Sequence, residues 1–153
     1  MIMTSSIKVV DKGMERILRE LPYLRGASVD VGVQSDAGTG DDGETPIAAY
    51  AAWNEFGTSR APARPFMAQA ADENGRKWTQ TAGKILNSIY EGRSTAEAGL
   101  AILGQMAEDD IKNKITTLKE PPNSPMTIAL KGSANPLIDT GTLRQSIRYV
   151  VNI

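Results

Sequence analysis

Carboxylates have the best claim to chemistry in this chain, because it contains no histidine and no cysteine. Without histidine there is no Ser-His or Cys-His dyad, and no side chain whose ordinary pKa lies near neutrality. Without cysteine, disulfides, zinc–thiolate sites and iron–sulfur clusters within the chain are excluded. Glu55 stands beside Trp53 and Phe56 and close to Arg60 and Arg64. Acid/base work would need a partner group, and no second carboxylate lies nearby, so a salt-bridging or backbone-capping acid that fixes the turn at Gly57 is expected. Asp139-Thr140-Gly141 has the composition of an aspartic-protease triplet, but that chemistry requires two such loops sharing a proton. One is present, ahead of a helical pattern, so helix N-capping is the expectation. Asp36, Asp41, Asp42 and Glu44 are hard oxygen ligands whose spacing misses the alternate-position pattern of a calcium loop. Lys131-Gly132-Ser133 mimics the end of a phosphate loop without its upstream glycines. No catalytic set, metal or cofactor is expected, and the chain reads as a non-enzyme.

A second chemistry is recognition. Arg64 lies between Pro62 and Pro65, which restrict the backbone and present the guanidinium in a nearly fixed direction. So placed, it could grip a carboxylate on a neighbouring subunit. An intrachain pair with Glu55 or Asp139 is an equal alternative. Trp53, Phe56 and Phe66 are core candidates, with interface anchoring as the sharper alternative.

The elements that position these residues follow from periodicity. Ile7–Val10 suits a short strand, and Met14, Ile17, Leu18 and Leu21 form the apolar stripe of a helix ending near Pro22. Ala27, Val29, Val31 and Val33 alternate with polar or small residues, predicting a half-buried strand. Residues 35–45 hold glycines and acids and no apolar side chain larger than alanine, predicting a mobile, exposed loop. Ile47–Phe56 predicts a short helix closed by Gly57. A long helix follows from Pro65 to about Tyr90, with Trp78 in the core. Ser94-Thr95-Ala96-Glu97 matches a capping box. The next helix carries Leu100, Leu103, Ala107, Ile111, Ile115 and Leu118 on one side, with Glu108, Asp109, Asp110, Lys112 and Lys114 mainly outward. It should stop by Glu120. An extended loop over 119–137 with room for one helical turn at Met126–Leu130 is expected, and a short helix capped by Asp139 or Thr140 leads into a last strand with Ile147, Tyr149 and Val151. That strand could pair with the valine strand. The fold class is α+β: a small antiparallel or mixed sheet packed by an N-terminal amphipathic helix and two long helices.

At 153 residues the chain fits one domain, residues 1–153. Its 17 basic and 18 acidic residues leave a net charge of −1, which disfavours a protein whose task is to coat nucleic acid. No apolar run is long enough to span a membrane, and Met1–Lys8 lacks the pattern of a signal peptide. The expected location is the cytosol or a particle assembled there.

Two blocks carry a resemblance. Trp53-Asn54-Glu55-Phe56-Gly57-Thr58 with Pro62-Ala63-Arg64-Pro65-Phe66, and Pro136-Leu137-Ile138-Asp139-Thr140-Gly141-Thr142-Leu143-Arg144-Gln145-Ser146-Ile147, resemble signature segments of a family of tailed-bacteriophage neck or tail-completion proteins. The resemblance implies a structural virion protein at the head–tail junction, assembled in the host cytoplasm. It also implies a homo-oligomeric ring, sixfold by default, that joins the head connector or adaptor to tail tube or terminator proteins. DNA would only pass through its channel, and no membrane is involved. The alternatives are a tail terminator ring capping the tail tube, or a nucleic-acid-binding module. Side-chain type and motif membership nominate Trp53, Glu55, Phe56, Arg64 and Phe66 for one interface region, and Asp139, Leu143 and Arg144 for the other.

Overall fold

The computed structural model describes residues 10, 13–132, 134–137 and 141–153. Ile7–Val9 and Asp139, named above as a strand and a cap, lie outside the described residues. The chain runs α1 (Met14–Leu24), β1 (Ser28–Val33), α2 (Ile47–Phe56), α3 (Phe66–Tyr90), α4 (Ala96–Thr117), α5 (Pro125–Lys131), α6 (Thr142–Gln145) and β2 (Ile147–Asn152). The architecture is α+β, as the periodicities predict.

The alternating valines set the sheet. β1 and β2 pair antiparallel, with Val29 opposite Val151, Val31 opposite Tyr149 and Val33 opposite Ile147. A period of two puts all six on one face, and that face rests on α4. Gly104 lets the helix approach: a β-carbon there would meet the Tyr149 ring and Val29 at under 3.0 Å. α3 packs antiparallel along α4, tied by Lys77 to Asp110 at 2.6 Å and Lys114 to Glu73 at 2.6 Å. α1 leans on both long helices.

One core joins the two signature blocks. Phe66 from the first and Leu137, Leu143 and Ile147 from the second pack with Ile47, Ala51, Ala70, Ile111, Ile115 and Leu118. Phe66 and Ile147 are wholly buried.

Several expectations need correction. α1 passes through Pro22 to Leu24, because a proline in the last turn forfeits a single amide bond and Arg25 N–H still reaches the Leu21 carbonyl at 3.2 Å. Thr95, not Ser94, caps α4, accepting from Ala98 N–H at 3.2 Å; the Ser94 hydroxyl is spent on the Thr95 carbonyl. Gly141, in the left-handed region, stands at the start of α6; the expected caps Asp139 and Thr140 both lie outside the described residues. The helical turn expected at Met126–Leu130 is present and longer, as α5, whose start Ser124 caps. Residues 35–45 close on themselves: Thr39 bridges Pro46, and Gly40 N–H donates to the Thr45 carbonyl at 2.7 Å. Glu108 turns inward, against the expectation. It sits between Gly104 and Ile111 on the buried arc and accepts from Tyr149 N–H at 3.0 Å and Lys112 Nζ at 2.6 Å.

Candidate interaction site

The segment from Asn54 to Ala68 is a clasp between two helices. α2 ends at Gly57, whose φ of 76° favours glycine; a β-carbon there would stand 2.8 Å from the Ala63 amide. Thr58 then tightens the loop. Its backbone N–H donates to the Ala61 carbonyl at 2.8 Å, and its hydroxyl accepts from the amides of Arg60 and Ala61. The Asn54 carbonyl accepts the Arg64 N–H at 2.6 Å, which pins the returning strand to the helix end.

Glu55 does the main work at this corner. Its carboxylate accepts from Met67 N–H and Ala68 N–H, both at 2.9 Å. These are orphan amides of the first turn of α3, where the helix dipole also favours a negative charge. Glu55 is a backbone-capping acid, as expected in kind. The turn it fixes is the start of α3, not Gly57.

Arg64 corrects the reading of a presented guanidinium. It is 8% exposed. Nε donates to the Pro121 carbonyl at 2.8 Å, and one terminal nitrogen reaches the Pro122 carbonyl at 3.2 Å and Asn123 Oδ1 at 3.3 Å. Glu55 does not receive it: its carboxylate is taken by the amides of Met67 and Ala68. The planar fork is matched to three oxygens of one extended segment, which the arginine anchors beneath the clasp.

The remaining candidates divide sharply. Phe66 and Leu143 are core residues and cannot be outer contacts without unfolding. Arg144 is exposed, with Nε donating to Thr116 Oγ1 at 3.2 Å. Trp53 is half exposed and Phe56 is 81% exposed. Trp78, expected in the core, is half-buried and donates its indole N–H to Asp110 at 2.7 Å.

Sequence reasoning missed that α2 is apolar nearly all round. Ile47 and Ala51 face the core, while Ala48, Ala52, Trp53, Phe56 and Tyr50 are exposed. The signal was available, since Ile47–Trp53 contains no charged or amide side chain. On one flank a cavity of about 370 Å³ is lined by Asp41, Asp42, Thr45, Tyr50, Trp53 and Thr142, among others. On the other, a groove of about 540 Å³ runs between α2 and β1, past Asp30, Ala52 and Phe56. No lysine or arginine is among the described residues lining either.

The acidic loop is held in place beside this face. Asp42 accepts from the amides of Glu44 and Thr45 at 3.0 and 2.9 Å and from the Thr45 hydroxyl, and these bonds hold its carboxyl below the usual carboxylate range, the hydroxyl contributing most. Thr142 Oγ1 donates to Asp41 at 3.1 Å, and Arg148 pairs with Asp36 at 2.6 Å. Among the described residues no group of acids is gathered as a metal site, and no helix is long and apolar enough to cross a membrane.

Comparison with known protein families, with curated proteins and with solved structures finds no match to this chain.

Proposed function

We propose that the chain is a structural virion protein of the phage head–tail junction, a neck or tail-completion subunit that assembles with copies of itself and joins the head connector to the tail. One observation carries the reading: the outer face of α2, with Trp53 and Phe56 exposed and no charged side chain from Ile47 to Trp53. A helix apolar on every side belongs in an interior. Here the monomer covers one side only, and an exposed apolar face of this kind marks a surface that another protein covers.

The packing supports the same reading. The clasp spends Glu55 on the first turn of α3 and Arg64 on residues 121–123, so the acid and arginine of this segment hold the chain together beneath α2 and leave its outer face to its apolar side chains. Among the described residues the hollows on both flanks of α2 are lined by acids and by no lysine or arginine, the wrong sign for phosphate. That favours a protein partner over nucleic acid.

The test is location. In particles assembled with a labelled copy, electron microscopy should place the label at the neck, and particles made without the chain should yield separate heads and tails. A label on the capsid shell or at the tail tip, or normal joining without the chain, would overturn the proposal.

A further inference from the structure

The sheet has one guarded edge and one open edge. Tyr149 N–H points away from β1 and is taken by the Glu108 carboxylate at 3.0 Å, so a side chain of α4 closes the outer side of β2. The Arg148 carbonyl points the other way, towards β1, where Gln34 Nε2 reaches it at 3.3 Å. Pairs in an antiparallel ladder alternate between inward and outward backbone groups. Val29, Val31 and Val33, opposite Val151, Tyr149 and Ile147, therefore turn their N–H and C=O groups to the free side of β1. Among the described residues nothing pairs with that side. Such a row of backbone groups is a template for one more strand.

The space beside this edge has the dimensions of a strand. A hollow of about 610 Å³ is lined by Val29, Val31, Met67, Ala71, Trp78 and Ala82, among others. From Ala68 to Ala82 it follows α3 for about 21 Å, and six extended residues span about 20 Å. Ala68, Ala71 and Thr79, on the floor of the hollow, are exposed. Met67 is the side chain that must shift, since its Cε would stand 3.1 Å from a β-carbon at Gly32, and methionine re-packs readily.

The place where α1 begins selects the occupant. Arg16 donates to the Gly92 carbonyl at 3.0 Å and Glu20 accepts from Ala96 N–H at 2.8 Å, so α1 crosses the α3–α4 turn with its start on the α3 side. Extended chain from Met14 back to Val10 covers about 13 Å, and α3 from Tyr90 back to Ala82 covers about 12 Å. The residues before Val10 are thus long enough to lie along the hollow. Their alternation suits it: Met3, Ser5, Ile7 and Val9 share one face and carry no charge, while Thr4, Ser6 and Lys8 share the other. Direction agrees as well. β1 runs away from α1 and a segment leading into α1 runs towards it, so the two are antiparallel.

We infer that residues 4–9 seat on the free edge of β1 as a third strand, with Ile7 and Val9 in the hollow over α3. The edge is a strand-accepting site, and its ligand is the N-terminal segment of the same chain. Seated, the segment keeps the edge from pairing with other chains. Its occupancy does not depend on where the chain sits in a particle.

Hydrogen exchange tests the seat on the full chain and on a chain beginning at Val10 behind an initiator methionine. In the full chain the Val29 and Val31 amides should be protected. Without residues 1–9 they should exchange at least about tenfold faster, while the Asp30 and Gly32 amides, which face β2, keep their rates. Val29 and Val31 amides that exchange freely in the full chain, or equally in both chains, overturn the inference. A loss spread over all four amides also overturns it, because the segment would then support the sheet without occupying its edge.

A second measurement does not rely on the shortened chain. The protein has no cysteine, so Ile7→Cys can be combined in turn with Ala71→Cys, Thr79→Cys or Ala82→Cys and oxidised. At least one pair should close a disulfide within a single chain, read as a monomer with faster mobility on a non-reducing gel. No disulfide from any pair, or disulfides only between copies, overturns the inference.

Discussion

The α2–α3 clasp and α1 hold their places by opposite means. In the clasp, polar groups turn inward: Glu55 takes two amides of α3, Arg64 takes three oxygens of residues 121–123, and Phe66 is fully buried beneath them. α1 is tied by Arg16 and Glu20 at one turn and leaves its apolar row outside. The contrast shows how little residue type decides exposure. An arginine between prolines is 8% exposed, while a phenylalanine eight residues earlier is 81% exposed. What decides is whether the fold brings acceptors to the guanidinium and apolar neighbours to the ring.

The largest test of this contrast sets two phenylalanines against each other. Phe66→Ala empties a filled site in the shared core and should cost about 3–5 kcal/mol, read as a lowered urea midpoint. Phe56→Ala should stay within about 0.5 kcal/mol in dilute solution, as expected of a surface position. Equal costs would show that Phe56 is packed in the free chain and would remove the outward face.

Arg64→Lys is the next in size. An ammonium cannot reproduce a planar fork aimed at Pro121, Pro122 and Asn123, so buried acceptors lose partners while the charge remains. About 1.5–3 kcal/mol should be lost. Arg19→Lys on α1 should leave stability unchanged. If lysine serves equally at position 64, the arginine is not the anchor of the 121–123 segment.

Much of this arrangement was legible in the sequence and some could not be. The limits of α2 and α3 follow from Gly57 and Pro65, and the strand pairing follows from alternating valines, because turn chemistry and period-two burial are local. The partners of Arg64 lie 57 to 59 residues away, and no local pattern announces a contact of that range. Glu108 occupies a position where the apolar spacing Gly104, Ile111 and Ile115 demands burial, yet its charge argues for solvent. The β2 amide it receives, 41 residues on, resolves the conflict. The closure of residues 35–45 was missed for another reason. Composition described a loop without a core, while Asp42 and Thr45 close it by local hydrogen bonds that need none.

Glu55→Gln tests the clasp at smaller scale. The amide keeps one oxygen acceptor but loses the charge at the start of α3, and about 1 kcal/mol should follow. Hydrogen exchange locates the effect: the Met67 and Ala68 amides should lose protection, while Ala98, capped by Thr95 on α4, should not. Uniform loss along both helices would mean that Glu55 supports the whole fold and not one corner.

The smallest effect is expected at Asp42, where the acidic flank of α2 is set. Its folded pKa lies below the ordinary carboxylate value because the Thr45 hydroxyl and the amides of Thr45 and Glu44 donate to the charged form. A depressed acid stabilises the closed loop in full above the ordinary carboxylate range. The contribution is lost as pH falls through that range towards the lowered value. Because the group is exposed, solvent screens the interaction and the global unfolding midpoint should not move with it. The readout is therefore local: the amide resonances of Glu44 and Thr45 should titrate together, with a midpoint below that of an ordinary aspartate. Asp42→Asn should abolish that titration while keeping an oxygen to accept from Thr45. A midpoint at the ordinary value would mean that the loop is open in solution, and the acidic edge beside Trp53 would then have no fixed position.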